Sequence, residues 1–172
     1  MIKTTPFEMV FIIRDPMKIA HSTVDSRGAH AIGRELLAKL YLEETGEPLP
    51  PILIQDRGKP CFAHGDWHFS ITHTRHHVFC ALAAHPIGID AEELDRNINL
   101  RLADKILSTS EKAQFDAAPD PRRALLTFWI LKEAAAKQSG IGLNGYPNHT
   151  HFSLDDPRVT ESHGCLLAII ET

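Results

Sequence analysis

The sequence predicts an α+β protein made of two similar halves in a pseudo-twofold arrangement, residues 1–86 and 87–172. Three observations support this fold class. Short apolar segments with a period of two residues, which is typical of strands, alternate with long segments of helical period. The chain is 43% hydrophobic over 172 residues, enough to bury a sizeable core. It also carries an internal similarity, so we expect one compact unit with a cleft between its halves.

The internal similarity joins segments from the two predicted halves. The run His68-Phe69-Ser70-Ile71 is echoed by His151-Phe152-Ser153-Leu154, and residues 77–83 by residues 163–169. A predicted long helix precedes each segment. The similarity is weak enough that chance remains an alternative to duplication.

The first half begins with an apolar segment, residues 7–13, that is bounded by prolines and is predicted to be a buried strand. A helix is predicted over residues 23–44, where apolar residues recur at helical spacing and Gly46 provides a stop. Three further strands are predicted at residues 52–54, 68–72 and 77–84.

The second half begins with a strand at residues 87–92, where apolar and polar residues alternate. Residues 99–115 are predicted to hold one or two short helices, with Ser108 as the N-cap of the second. Asp120-Pro121 marks the start of a long helix and Gly140 its end. That helix is apolar on nearly every side, which indicates that it is buried.

Composition favours a cytoplasmic protein. No run of eighteen apolar residues occurs, and the first six residues lack the pattern of a signal peptide. The odd number of cysteines (Cys61, Cys80 and Cys165), without a CxxC pair, suits reduced thiols. A net charge of -4 disfavours general nucleic-acid binding. We therefore expect a soluble protein that binds neither membranes nor nucleic acid.

The predicted long helix carries an acid and a base on a face that begins apolar. Its members Leu126, Ile130, Glu133 and Lys137 fall at i, i+4, i+7 and i+11. Charges on a buried helix need partners, since an unpaired buried charge costs several kcal/mol. Glu133 and Lys137 could satisfy one another, and a metal ion with a phosphate is the alternative.

Two further carboxylates, Asp90 and Glu92, lie on one face of the predicted strand over residues 87–92, because alternate residues of a strand share a face. Glu133 could meet them in one space. A few carboxylate oxygens, with room for water and phosphate, form the arrangement that Mg²⁺ prefers. The sequence therefore predicts a magnesium site.

Histidines suggest a second kind of site. Five occur within fourteen residues: His64, His68, His73, His76 and His77. Imidazole is a good zinc ligand, which leaves a zinc protein open as an alternative. These histidines fit no tight ligand spacing on one helix, and a hairpin over residues 68–84 would point them to different faces.

Four segments, present in the correct order, resemble the 4'-phosphopantetheinyl transferase superfamily, and more its two-halved Sfp type than the short trimeric carrier-protein synthases. They are Gly58-Lys59-Pro60, Phe69-Ser70-Ile71-Thr72-His73-Thr74, Gly88-Ile89-Asp90-Ala91-Glu92 and Trp129-Ile130-Leu131-Lys132-Glu133-Ala134-Ala135-Ala136-Lys137. The resemblance runs from about residue 23 to the C-terminus. Ile130 departs from the family pattern, in which a small hydroxyl or thiol residue is common, and the part after Gly142 is short.

The resemblance implies Mg²⁺-dependent transfer of 4'-phosphopantetheine from coenzyme A to a serine of a carrier protein. It assigns Asp90, Glu92 and Glu133 to one Mg²⁺ and makes Glu133 the general base. Lys137 would balance charge on the phosphates. Asp90, Glu133 and Lys137 are thus the expected catalytic residues.

Coenzyme A, by the same resemblance, is held by Lys59, Thr72 and His73. Three further cations are candidates for its phosphates, namely Arg27, Arg57 and Lys132.

The implied partner is an apo acyl or peptidyl carrier protein, of fatty-acid, polyketide or nonribosomal-peptide type. We expect a monomer, because the two halves would supply within one chain the interface that shorter relatives form between chains. A coenzyme A or nucleotide-binding protein without transferase activity is the remaining alternative.

Overall fold

The computed structural model describes residues 17–142 and 151–171. Within them the fold is α+β, with four α-helices and three small antiparallel sheets. The strands are β1 Met17–Thr23, β2 Ile52–Ile54, β3 Pro60–Phe62, β4 His68–His73, β5 His77–Ala83, β6 Ile87–Glu93, β7 Val159–Ser162 and β8 Cys165–Glu171. The helices are α1 Ala29–Thr45, α2 Ala103–Ile106, α3 Thr109–Ala117 and α4 Pro121–Ser139. Among these helices, none combines the length and apolar character needed to cross a membrane.

Two three-stranded sheets pack face to face, and each is covered by a long helix on its other side. The first sheet has the order β1-β5-β4 and carries α1, and the second has the order β6-β8-β7 and carries α4. The apolar side chains that share the cluster between the sheets are Met17, Ile19, Phe79, Ala81, Ala83, Ile87, Ile89, Ala91, Cys165 and Leu167. Because alternate residues of β6 face opposite ways, this packing turns Gly88, Asp90 and Glu92 toward α4.

The two sheets have the same connectivity. In both, the first strand in sequence lies beside the last, and the last lies beside the penultimate strand. Residues 163–169 overlap β8, which occupies in its sheet the place that β5 occupies in the first. The other echo is not structural, since His68 to Ile71 lie in β4 whereas residues 151–154 precede β7 without strand structure.

The predicted strand at residues 7–13 lies outside the described residues. The predicted start of the first helix was wrong, because Met17–Thr23 form β1 and α1 begins at Ala29. β1 includes Lys18, His21 and Ser22, so its sequence does not look like a buried strand. Its backbone is nevertheless paired with β5 along all seven residues. Tertiary pairing, rather than local preference, makes this segment a strand.

The predicted cap residues in the second half, Ser108, Asp120 and Gly140, are confirmed, whereas α3 extends to Ala117, two residues beyond the predicted range. Ser108 caps α3, where its side chain and that of Glu111 form a capping box. The Asp120 side chain accepts a hydrogen bond from the backbone N–H of Arg123 and caps α4. Gly140 ends α4 in the left-handed conformation, with a φ of 71°.

Gly88 lets α4 lie directly on β6. A Cβ atom at this position would stand 2.0 Å from the backbone oxygen of Ala134 and 2.4 Å from the backbone nitrogen of Gln138. Both atoms belong to the helix backbone, so a side chain could not be accommodated by rotating a neighbour. The glycine therefore sets the short distance between the strand that carries Asp90 and the helix that carries Glu133.

Three stacked imidazole rings lie beside the apolar cluster between the two sheets, and we call them the histidine stack. They belong to His21 on β1, His77 on β5 and His163 in the β7–β8 turn. The ring centroids of His21 and His163 are 3.7 Å apart, and His21 Nε2 lies 3.0 Å from His77 Nδ1. The stack also contacts Phe79 and so joins the first sheet to the second.

Candidate functional site

A cavity of about 730 Å³ opens where β4, β6, α1 and α4 converge. Asp90 and Glu92 line it from β6, and Glu133 and Lys137 line it from α4. Asp90 and Glu92 both face this cavity because they are two residues apart on one strand. The structure thus brings together in one space the three acids and the lysine that the sequence singled out.

The cavity-lining face of α4 differs from the predicted one. Trp129, Glu133 and Lys137, at i, i+4 and i+8, line the cavity. Leu126 and Ile130 are fully buried in the core of the second sheet. On this face of α4, Glu133 and Lys137 therefore follow Trp129 and not Leu126 and Ile130.

Asp90 is almost buried, with 6% of its surface exposed, and is held by two donors. The Thr72 hydroxyl donates to its Oδ1 at 2.9 Å, and Lys137 Nζ lies 2.6 Å from the same oxygen. Within the described part of the chain, its Oδ2 accepts no hydrogen bond. One oxygen of this carboxylate is thus fixed and the other is left for a ligand.

Glu133 has no such partner at hydrogen-bond distance in the described residues. Burial raises the pKa of its carboxyl, and the negative charge of Asp90 raises it further, whereas Lys137 and Arg96 act in the opposite direction. Glu92 differs, because it forms an ion pair with Arg96, four residues further along the chain. Among the three acids of this cavity, Glu133 is therefore the one that has no cation at hydrogen-bond distance in the described residues.

The donor chemistry suits a hard divalent cation. Three carboxylates line one cavity, and after burial the negative charge of Asp90 is the second cause of the raised pKa of Glu133. As the side chains stand, no three His, Cys, Asp or Glu residues within 17–142 and 151–171 are grouped closely enough to hold a metal ion together. The pairs of Asp90 with Lys137 and of Glu92 with Arg96 would have to loosen when a cation binds.

A smaller cavity of about 240 Å³ adjoins the first and shares Glu133 and Lys137 with it. Arg57 and Lys59 line this second cavity from the turn before β3. Lys59 Nζ donates to the backbone oxygen of Gln138 at 2.5 Å, which ties the turn to the last turn of α4. Burial lowers the pKa of Lys59. Cationic groups thus continue from the acids along one cleft.

Three polar residues that line the larger cavity were not predicted from the sequence as site residues: His30, Arg34 and Arg96. His30 and Arg34 are four residues apart on α1, and the His30 ring meets that of His73 edge to face at 5.3 Å. Their spacing was the available signal, but it shows only that they share a helix face. That this face lies opposite β6 follows from the packing of the sheets.

Two predicted coenzyme A residues line neither of these cavities. Arg27 is exposed and pairs with Asp25 and Glu35. Lys132 is buried on another face of α4, where its Nζ lies 2.9 Å from Glu111. The structure accounts for their charges without a ligand.

The clustered histidines are dispersed by the hairpin of β4 and β5. His73 lines the larger cavity, His76 lies 3.1 Å from Glu93, and His77 belongs to the histidine stack. The described residues therefore give the zinc alternative no support.

The sequence of this chain is similar to those of known proteins. Residues 86–168 match the family described as the 4'-phosphopantetheinyl transferase superfamily. The 4'-phosphopantetheinyl transferase Sfp of Bacillus subtilis (strain 168) is 36% identical over 93 residues, which cover 52% of this chain and 41% of that protein. The 4'-phosphopantetheinyl transferase gsp of Aneurinibacillus migulanus is 30% identical over 116 residues, covering 65% and 48%.

A third relative is the 4'-phosphopantetheinyl transferase AcpT of Escherichia coli O157:H7, 34% identical over 113 residues, which cover 62% of this chain and 57% of that protein. A cleft that is lined by carboxylates and also by lysines and arginines is suited to binding a cation together with phosphates. Over residues 86–168, the chain is thus similar to the 4'-phosphopantetheinyl transferase superfamily. It spans about half the length of the curated relatives that it matches.

Proposed function

We propose that this protein transfers the 4'-phosphopantetheine group from coenzyme A to a serine of an apo acyl or peptidyl carrier protein. The observation that carries the proposal is the cavity in which Asp90, Glu92, Glu133 and Lys137 meet. These residues come from the part of the chain that matches the superfamily. The same cleft continues to Lys59, so carboxylates and cations are arranged along one surface as a metal-assisted phosphoryl transfer requires.

The fold would support this function as two halves, residues 1–86 and 87–172, related by a pseudo-twofold axis. The shared connectivity of the two three-stranded sheets supports this relation. The cavity is lined by residues of both halves, since β4 and α1 come from the first and β6 and α4 from the second. We expect a monomer, because the two halves of one chain line the cavity together.

Asp90, Glu92 and Glu133 would hold one Mg²⁺, with Asp90 Oδ2 as the oxygen that is free to bind it. When bound, the ion would neutralise charge on the pyrophosphate under attack and leave ligand positions for its oxygens. Arg96 and Lys137 now balance Glu92 and Asp90. Once these carboxylates bind the ion, both cations become available for phosphate oxygens.

Coenzyme A would lie along the cleft with its phosphates against the basic groups of both cavities. Lys59 and Arg57 line one end, and His73 lines the other. Arg34 is a further candidate for a phosphate contact, since it lines the larger cavity and is exposed. Arg27 and Lys132 have protein partners and are weaker candidates than the sequence suggested.

Chemically, the serine Oγ of the carrier would attack the phosphorus that bears the pantetheine arm. Its proton would pass to Glu133, whose raised pKa suits a general base. A new O–P bond forms as the pyrophosphate P–O bond breaks. Adenosine 3',5'-bisphosphate leaves with the bonding electrons, and Lys137 is placed to balance its developing charge.

The test is incubation of the purified protein with coenzyme A, MgCl₂ and a panel of apo carrier proteins, followed by mass measurement of the intact carriers. We expect at least one carrier to gain one phosphopantetheine group, and expect EDTA to abolish the gain. The variant Asp90→Ala should lose turnover while keeping its thermal unfolding transition. Glu43→Gln, an exposed acid on α1, is the matched control and should remain active.

Two results would contradict the proposal. If no carrier gains mass although the protein binds coenzyme A, a binding protein without transferase activity becomes the better description. If Asp90→Ala turns over normally, the proposed metal ligands are wrong.

A further inference from the structure

Strands β4 and β6 are adjacent but belong to different sheets, and within the described residues no backbone ladder joins them. Two hydroxyl groups bridge them instead. Ser70 Oγ accepts a hydrogen bond from the backbone N–H of Ile89 at 3.0 Å, and Thr72 Oγ1 donates to Asp90 Oδ1 at 2.9 Å. Side-chain hydroxyls thus take the place of backbone pairing between these strands.

Both hydroxyls are placed to act together. Ser70 and Thr72 are 6% and 4% exposed, and alternate residues of a strand share one side. Ser70 holds the backbone immediately before Asp90, whereas Thr72 holds the side chain of Asp90. The first contact fixes the position of β6 along β4. The second fixes the position of the Asp90 carboxylate relative to β4.

The pattern of contacts on Asp90 separates its two oxygens. Oδ1 accepts a hydrogen bond from the Thr72 hydroxyl and another from Lys137, whose Nζ lies 2.6 Å from this oxygen. Lys137 is about one-third exposed, and its charge can turn to another anion. Thr72 is buried, uncharged and β-branched, so its side chain has little freedom to leave. Of the two donors, Thr72 is the permanent one.

We propose that Thr72 is a positioning residue for Asp90. Its hydroxyl holds Oδ1 and so keeps Oδ2 available for a divalent cation in the larger cavity. This inference rests on the proposed function, and it gives Thr72 a role different from the coenzyme A contact that the sequence resemblance implies. Hydrogen-bond partners of metal ligands commonly change metal affinity by about 10- to 100-fold when they are removed.

The experiment measures Mn²⁺ binding by electron paramagnetic resonance of the free ion, without coenzyme A or carrier. Thr72→Val keeps the shape of the side chain and removes the hydroxyl, and Thr72→Ser keeps the hydroxyl. We expect Thr72→Val to weaken Mn²⁺ binding about 10- to 100-fold and Thr72→Ser to restore most of the loss. Coenzyme A affinity without metal should change less than about twofold in both.

Thr127→Val is the matched control for loss of a buried threonine hydroxyl. Thr127 Oγ1 donates to the backbone oxygen of Arg123 within α4, on a side chain 5% exposed, and does not line the larger cavity. We expect its Mn²⁺ affinity to equal that of the wild type. Thermal unfolding of each variant shows whether it remains folded.

The outcomes separate this inference from the proposed function. Unchanged Mn²⁺ affinity in Thr72→Val, or weaker coenzyme A binding with Mn²⁺ binding intact, would overturn the positioning role alone. If the wild type binds Mn²⁺ no better than Asp90→Asn, the proposed metal site fails, and the positioning role fails with it. A loss in Thr72→Val that Thr72→Ser does not recover would also count against the hydroxyl.

Discussion

Glu133 stands apart from the other acids of the cleft because no cation holds it at hydrogen-bond distance in the described structure. A buried carboxylate in this position can accept a proton from an attacking hydroxyl. We predict that Glu133→Gln, which keeps the shape and removes the charge, lowers turnover about 100-fold or more. Steady-state transfer to a carrier measures the loss, and calorimetry should show coenzyme A still bound. Turnover close to that of wild type would exclude Glu133 as the base.

The same residue predicts a pH dependence. Burial and the charge of Asp90 favour the protonated carboxyl of Glu133 and raise its pKa, so the ionised base is lost at a higher pH than for an ordinary glutamate. Activity should therefore rise with pH through that raised pKa. Carboxyl ¹³C NMR would measure the pKa directly, and Asp90→Asn should lower it. An unchanged pKa in Asp90→Asn would mean that the two acids do not interact.

Sequence alone was sufficient to bring Asp90, Glu92, Glu133 and Lys137 together, because strand and helix periods place each pair on one face and the superfamily motifs contain them. It could not supply Arg96 or Arg34, whose relation to the acids depends on how elements pack. The opposite error was made for Lys132, which was predicted to bind coenzyme A but lines neither cavity. It adjoins Glu133 in sequence, but the next residue on a helix points about 100° away.

Lys132 and Glu111 form a buried link between α3 and α4. Glu111 is fully buried, and its pKa is lowered because hydrogen bonds from the Ser108 and Phe152 backbone and the ion pair with Lys132 outweigh the effect of burial. Lys132→Met would leave that charge without its cation. We predict a loss of about 3–5 kcal/mol in the free energy of unfolding, measured by urea titration.

The control and the compensating change for this pair are both available. Lys112→Met removes a partly exposed lysine of α3 whose partners, Asp104 and Asp116, are both exposed, and it should have little effect. Adding Glu111→Gln to Lys132→Met should recover part of the stability, because no unpaired charge remains. A Lys132→Met protein as stable as wild type would show that the ion pair does not hold the two helices together.

Among the elements, predictability followed the strength of local signals. α4 was found with both ends because Asp120-Pro121 and Gly140 are start and stop signals that act within one turn. β1 was missed because its identity depends on β5, which is more than fifty residues away. The edge strands β3 and β7 were missed for a different reason, since each is short and only partly buried.

For the whole molecule, the histidine stack predicts sensitivity to acid. The pKa of His21 is lowered from 6.5 to about 4, first by burial and then by the neighbouring His163 and His77. The unfolded chain therefore takes up this proton first, so the stability present above pH 6.5 declines as pH falls toward 4. Glu93 and His76 lie near His77 and act on it in opposite directions, and burial still lowers the pKa of His77.

We predict that His21→Phe, which keeps a ring in the stack, removes roughly 3 kcal/mol of the loss in unfolding free energy between pH 7 and pH 4. Urea titrations at several pH values give the comparison. His64→Gln, at an exposed histidine outside the stack, is the control and should follow the wild-type curve. Parallel curves for wild type and His21→Phe would show that His21 does not govern the acid response.

The pairing of β6 with β8 has a consequence for synthesis of the protein. β6 carries Asp90 and Glu92. Within the described residues its ladder partner is β8, and all seven residues of β6 are paired, from Ile87 with Glu171 to Glu93 with Cys165. A ribosome therefore releases β6 long before its partner has been translated. During that interval the nascent chain exposes an unpaired strand edge, a surface on which chaperones act and aggregates begin.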